Sequence, residues 1–102
     1  MRKIKIFLEY RCYPMWVYDE KDELLDNDLI DELKNDTEID KMLLEIQSTY
    51  DELFEDNPIV FEYKGFTQES ERKAFLQKVE NAISLIKQKI GENYILENKV
   101  SI

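Results

Sequence analysis

Apolar residues at positions 75, 76, 79, 82, 83, 86 and 90 fall on one face of a helix with 3.6 residues per turn. The same period runs through positions 39, 42, 43, 46, 50, 53 and 54. Neither stripe can be buried by its own helix, so both need a shared apolar surface. The chain ends supply one. In residues 2–10, Ile4, Ile6, Leu8 and Tyr10 alternate with Lys3, Lys5, Phe7 and Glu9, the period-2 pattern of a half-buried strand. Residues 94–102 carry Tyr94, Leu96, Val100 and Ile102 in the same manner. Strands at the ends with helices between them describe an α+β domain.

Punctuation residues set the boundaries. Pro14 interrupts the first strand, since it cannot donate to a ladder, and Met15-Trp16-Val17-Tyr18 resumes as a second. Asp19 to Glu23 reads as the following turn, with Leu24-Leu25 either a hairpin partner or a lead into the next element. Asn27 or Asp28 can cap a short helix over Leu29, Ile30 and Leu33. A long helix near 38–56 should follow, stopped by Asn57-Pro58. Ile59 to Tyr63 then forms a third strand closed by Gly65. Thr67 caps a helix near 68–90, with Lys87 and Lys89 favoured by its dipole and Gly91 beyond its last turn. The expected order is β-β-α-α-β-α-β: one α+β domain over residues 1–102, a mostly antiparallel four-stranded sheet with helices packed on one face. Its core should include Ile39, Leu43, Ile46 and Tyr50 from one helix and Val79, Ile83 and Ile86 from the other.

An apolar share of 43% sustains such a core despite 36% charged residues. Cys12 is the only cysteine, so no intramolecular disulfide can form. The N-terminal apolar run is short, alternates with charge and has no small-residue cleavage site, unlike a signal peptide. No stretch approaches the roughly 20 apolar residues of a membrane span. A cytoplasmic protein is expected.

The acid is unevenly placed. Between Asp19 and Asp56 the chain holds sixteen Asp or Glu and three Lys, a formal charge of −13, while the remaining residues carry +4. A field of that size attracts a basic surface and repels nucleic acid and anionic membrane. As a fold feature alone, the acid is a solubilising helix face. It continues, however, through turn and loop from Asp19 to Asp28, where amphipathicity does not require it.

Catalytic chemistry finds no footing. The absence of histidine removes the Ser-His-Asp and Cys-His nucleophiles, and two glycines cannot build a phosphate-cradling loop. Asp26-Asn27-Asp28 begins like an EF-hand, yet its sixth position is Asp31 and its twelfth Thr37, where that loop requires Gly and Glu. Cys12 beside Arg11 is either a low-pKa thiol or, at a strand end, a small buried apolar residue. The expectation is a non-enzyme with no cofactor and no metal.

Binding finds more. Tyr10, Tyr13, Trp16 and Tyr18 abut the acidic tract, and Trp, Tyr and Arg dominate interface hot spots. Alternation cannot bury the whole run, because a Trp16 that points inward turns Met15 and Val17 outward. Two of the four aromatics are expected in the core, with Trp16 near an exposed sheet edge. The candidate partner-binding residues are Tyr13, Trp16, Tyr18, Asp19, Asp22, Glu23, Asp26, Asp28 and Asp31.

The run Cys12 to Asp19, followed by Asp26-Asn27-Asp28-Leu29 and an acidic helix ending near Tyr50-Asp51-Glu52-Leu53-Phe54, resembles small bacterial immunity proteins. These are encoded beside polymorphic or contact-dependent growth-inhibition toxins. The resemblance is one of size, acidity and the lack of a catalytic kit. It implies an inhibitor that covers the active or substrate-binding face of a cognate toxin. It locates no binding residues. The alternative is a general interaction module or nucleic-acid mimic that regulates a DNA-binding protein; in either case the partner is a basic protein, not nucleic acid or membrane.

Overall fold

Parallel pairing of the two chain ends organises the domain. The computed structural model describes residues 1–102. Strand β1 (Arg2–Ile6) lies parallel to the last strand, with Ile4 opposite Leu96 and Ile6 opposite Asn98. On its other side β1 pairs antiparallel with β2 (Met15–Tyr18), which pairs antiparallel with β3 (Leu24–Asp26). A 3₁₀ turn (Asp31–Leu33) leads to α1 (Thr37–Asp51). Then come β4 (Phe54–Asp56), β5 (Phe61–Tyr63), α2 (Glu69–Ile90) and β6 (Tyr94–Asn98). The main sheet has the order β3-β2-β1-β6, mostly antiparallel, with the helices on one face. No helix is long and apolar enough to cross a membrane.

The period-2 and period-3.6 patterns meet in a single core. Ile4, Ile6, Met15 and Val17 face Ile39, Leu43 and Ile46 of α1 and Phe75, Val79, Ala82, Ile83, Ile86 and Ile90 of α2, all buried. Tyr50 is only half-buried at the core's margin. Tyr94, Leu96, Val100 and Ile102 pack against it as expected. Asp36 caps α1 by accepting from the Ile39 N–H at 3.0 Å, and Gly91 closes α2 at φ 62°, a conformation that glycine adopts at no steric cost.

Several boundaries differ from expectation. Helix α1 ends at Asp51, not near 56, because the chain turns back at Leu53, whose carbonyl accepts from Lys64 N–H at 2.7 Å. Residues 59–63 are therefore no strand of the main sheet: β5 pairs with β4 in a separate two-stranded hairpin, and the third strand is Leu24–Asp26. Gln68, without a side-chain bond, takes the N-cap position of α2 in place of Thr67. Asn27 does not cap the 3₁₀ turn; its amide donates to the Tyr13 and Met15 carbonyls at 2.6 and 2.9 Å. Cys12 is half-buried in the β1–β2 loop, not at a strand end.

Candidate functional site: an open sheet face and an aromatic hairpin

The aromatic run of β2 divides against expectation. Met15 and Val17 point into the core, so Trp16 and Tyr18 stand on the open face of the sheet. Strand β2 lies between β3 and β1, but β3 pairs only with Val17 and Tyr18, so Trp16 stands on the open face where β3 has not yet joined the sheet. Its indole N–H donates to the Phe7 carbonyl at 3.0 Å, and its ring meets Phe7 edge-on at 6.2 Å. Lys5 Nζ lies 4.3 Å from the centroid of the Tyr18 ring, within cation–π range. Tyr13 projects the other way: its hydroxyl donates to Asp40 Oδ1 on α1 at 2.8 Å, and its ring packs against the core. Of the four aromatics only Tyr13 joins the core margin, and none is fully buried.

The candidate carboxylates are spread around this end of the sheet. Asp19 accepts from Lys21 N–H at 2.8 Å and Glu23 N–H at 2.9 Å, so it holds the β2–β3 turn. Asp22, at φ 65°, folds over the open face to Lys3 and Lys5 at 3.5 and 3.3 Å. The hydrogen bond from Lys5 leads in holding its carboxyl below the usual range. Asp28 pairs with Lys34 at 2.7 Å and is likewise held low, chiefly by that hydrogen bond. Asp26 and Asp31 border a depression on the helix side with Arg2 and Tyr94, and Glu23 is exposed with no basic partner. Trp16, Tyr18 and Asp22 are thus brought together; Tyr13, Asp26, Asp28 and Asp31 lie elsewhere.

Of the sixteen acids between Asp19 and Asp56, seven pair with a base: Glu20, Asp22, Asp28, Asp36, Glu38, Glu55 and Asp56. The other nine have no basic partner, so much of the tract's field is not neutralised internally. No three or more Cys, Asp or Glu side chains converge as metal ligands.

A second aromatic surface was not anticipated. Phe54 and Phe61 stack at 5.5 Å, Tyr10 packs against both at 4.7 and 5.0 Å, and Tyr50 and Tyr63 approach Phe54 at 5.2 and 5.1 Å. The cluster fastens the β4–β5 hairpin to the end of α1, aided by Tyr10 donating to Asp56 at 3.0 Å. The signal was available in Asn57-Pro58, a turn dipeptide between two short aromatic runs. A helix that persists to Phe54 conceals it. Because Lys3 is opposite Tyr18, the Asp19–Glu23 turn sits at the start of β1, whereas Tyr10 follows its end. The acidic tract therefore extends from one end of the sheet, along α1, to the other.

Residues 2–98 match the model of a family described as Serratia CdiI immunity protein-like. No curated protein matches the chain.

Proposed function

Since this chain belongs to the Serratia CdiI immunity protein-like family and is thus an immunity protein of that kind, we propose that it neutralises a cognate toxin by covering a basic active or substrate-binding face. The observation that carries the reading is the continuous tract from Asp19 to Asp56, in which nine carboxylates keep no basic partner. Such a field steers a basic partner and favours specificity and association rate. On the open face of the sheet, Trp16 opposite Lys5 and Tyr18 opposite Lys3 offer flat, half-exposed rings, with Asp19, Asp22, Glu23 and Asp26 along the turn and strand that follow Tyr18. Asp28 and Asp31 continue the acid toward α1. Tyr13 contributes by fixing the β1–β2 loop on α1, not by direct contact.

Inhibition by coverage asks nothing of the protein's own chemistry. It needs a stable scaffold, a complementary charge and a desolvated anchor. The test is co-expression with the toxin domain encoded beside this chain's gene. Growth should be restored by the wild-type protein and by no unrelated acidic protein of similar size. Growth arrest that persists with the folded protein present would overturn the reading.

A further inference from the structure

The tip of the β4–β5 hairpin is apolar where the fold does not require it. Asn57 alone closes the turn: its N–H donates to the Val60 carbonyl, and its Oδ1 accepts from the Ile59 and Val60 N–H groups, each at 2.9 Å. The side chains at the tip therefore contribute nothing to the turn's hydrogen bonds, and polar residues would serve there equally well. Instead Ile59 is 92% exposed with Val60 beside it, and Phe61, whose ring stacks on Phe54 and packs on Tyr10, still leaves 59% of its surface exposed. The cluster of Tyr10, Tyr50, Phe54 and Phe61 packs along the hairpin and leaves Ile59 free. On the strands below this knob stand Glu55, Asp56 and Glu62, with Asp51 and Glu52 at the adjoining end of α1, against Arg11 and Lys64, and both bases are already engaged: Arg11 with Asp56 at 3.5 Å, Lys64 with Glu55 and Glu62 at 3.3 and 3.2 Å.

An apolar projection inside an acidic rim is the complement of an apolar recess inside a basic rim. We infer that the β4–β5 hairpin inserts Ile59 and Phe61 into such a recess on the cognate toxin, as the desolvated anchor of the complex. This rests on the immunity reading and moves its anchor from Trp16 to the opposite end of the acidic tract. A hairpin suits the role: its backbone is already ordered by the aromatic cluster, so less conformational freedom is lost on docking. The rim carboxylates steer the basic walls and stay wet at the periphery, while Ile59 enters the centre where hot spots concentrate.

The experiment is calorimetric titration of the purified toxin domain with the full-length protein and with Ile59→Asp and Ile59→Leu. Ile59→Asp adds a carboxylate that assists long-range attraction, so any loss reads desolvation at position 59, the lost apolar contact together with the cost of burying a charge. The expected result is a loss of at least about 30-fold in affinity for Ile59→Asp, the ratio that corresponds to a hot spot. Ile59→Leu should retain binding, and all three melting curves should coincide. Equal binding by Ile59→Asp and wild type would overturn the hairpin anchor and leave the immunity reading intact. Absence of binding by the wild type would overturn both. Self-association of the free protein in sedimentation, abolished by Ile59→Asp, would assign the hairpin to a second copy of the chain instead.

Discussion

Tyr13 donates its phenolic hydrogen bond to Asp40 across 2.8 Å, joining the β1–β2 loop to the first turn of the acidic helix α1. Burial, reinforced by that carboxylate, pushes the Tyr13 hydroxyl well above the ordinary tyrosine value. Tyr13→Phe removes the donor and leaves Asp40 without it, at a net cost of about 0.5–1.5 kcal/mol. Urea unfolding should report this as a lower midpoint with an unchanged slope.

The same relationship fixes an alkaline limit. A group whose folded pKa is raised contributes stability that is complete below its unfolded value, about 10 for tyrosine, and lost as pH rises above it. Tyr94, pushed up to about 12 by burial and then by Glu32, acts in the same window. Stability should fall above pH 10, and Tyr13→Phe should make the decline shallower. Spectrophotometric titration at 295 nm should show three of the six tyrosines, Tyr13, Tyr50 and Tyr94, ionising late, since burial raises each of them.

At the acid end the sign reverses. Asp36 is held below the usual range by the Ile39 N–H first and Lys89 second, so its contribution is present above the unfolded value near 4 and lost as pH falls through it. Asp36→Ala should lower the thermal midpoint at pH 7 and have progressively less effect toward pH 2. Asp36→Asn should retain most of the cap, because its side-chain oxygen still accepts.

Leu43 and Ile86 are fully buried between the helices and the sheet. Alanine at either position should cost roughly 2–5 kcal/mol, measured by denaturant unfolding.

Much of this architecture was legible because each apolar stripe has one period and one destination. Ile4 and Ile6, Leu43, Val79 and Ile86 are placed in the core by period alone. The two-stranded hairpin was not, because period 3.6 reaches Leu53 and Phe54 by coincidence: Leu53 is buried just past the helix end, whereas Phe54 belongs to a strand. Three-residue strands such as Leu24–Asp26 and Phe61–Tyr63 are too short for alternation to reveal their partner. Trp16 shows the remaining ambiguity, since alternation says that its neighbours face the other way but not which way is inward. Of the proposed binding surface, the acid is visible in the sequence and the exposed Ile59 tip is not.

Trp16 reports on its own placement. A half-exposed indole bonded to the Phe7 carbonyl should emit at an intermediate wavelength and respond to quencher. Trp16→Ala should leave the free protein cooperatively folded. If the open face of the sheet meets the toxin, that change costs the complex at least about 2 kcal/mol; if the hairpin is the sole anchor, it costs less.

The acidic tract is tested through rate, not affinity. Replacing Asp19, Asp22, Glu23 and Asp26 with Asn or Gln should slow association with the toxin at low ionic strength. The difference should shrink with added salt, since exposed charges are screened within about 10 Å at 0.1 M. Asn at 19 retains an acceptor for the turn, and Asn at 22 tolerates the positive φ, so the fold should persist.

Coverage of a basic toxin face is measured most directly by titrating the toxin domain's own activity with this protein. The account predicts complete loss of activity at one equivalent, with inhibition weakened by salt. Full activity in the presence of excess folded protein would contradict it.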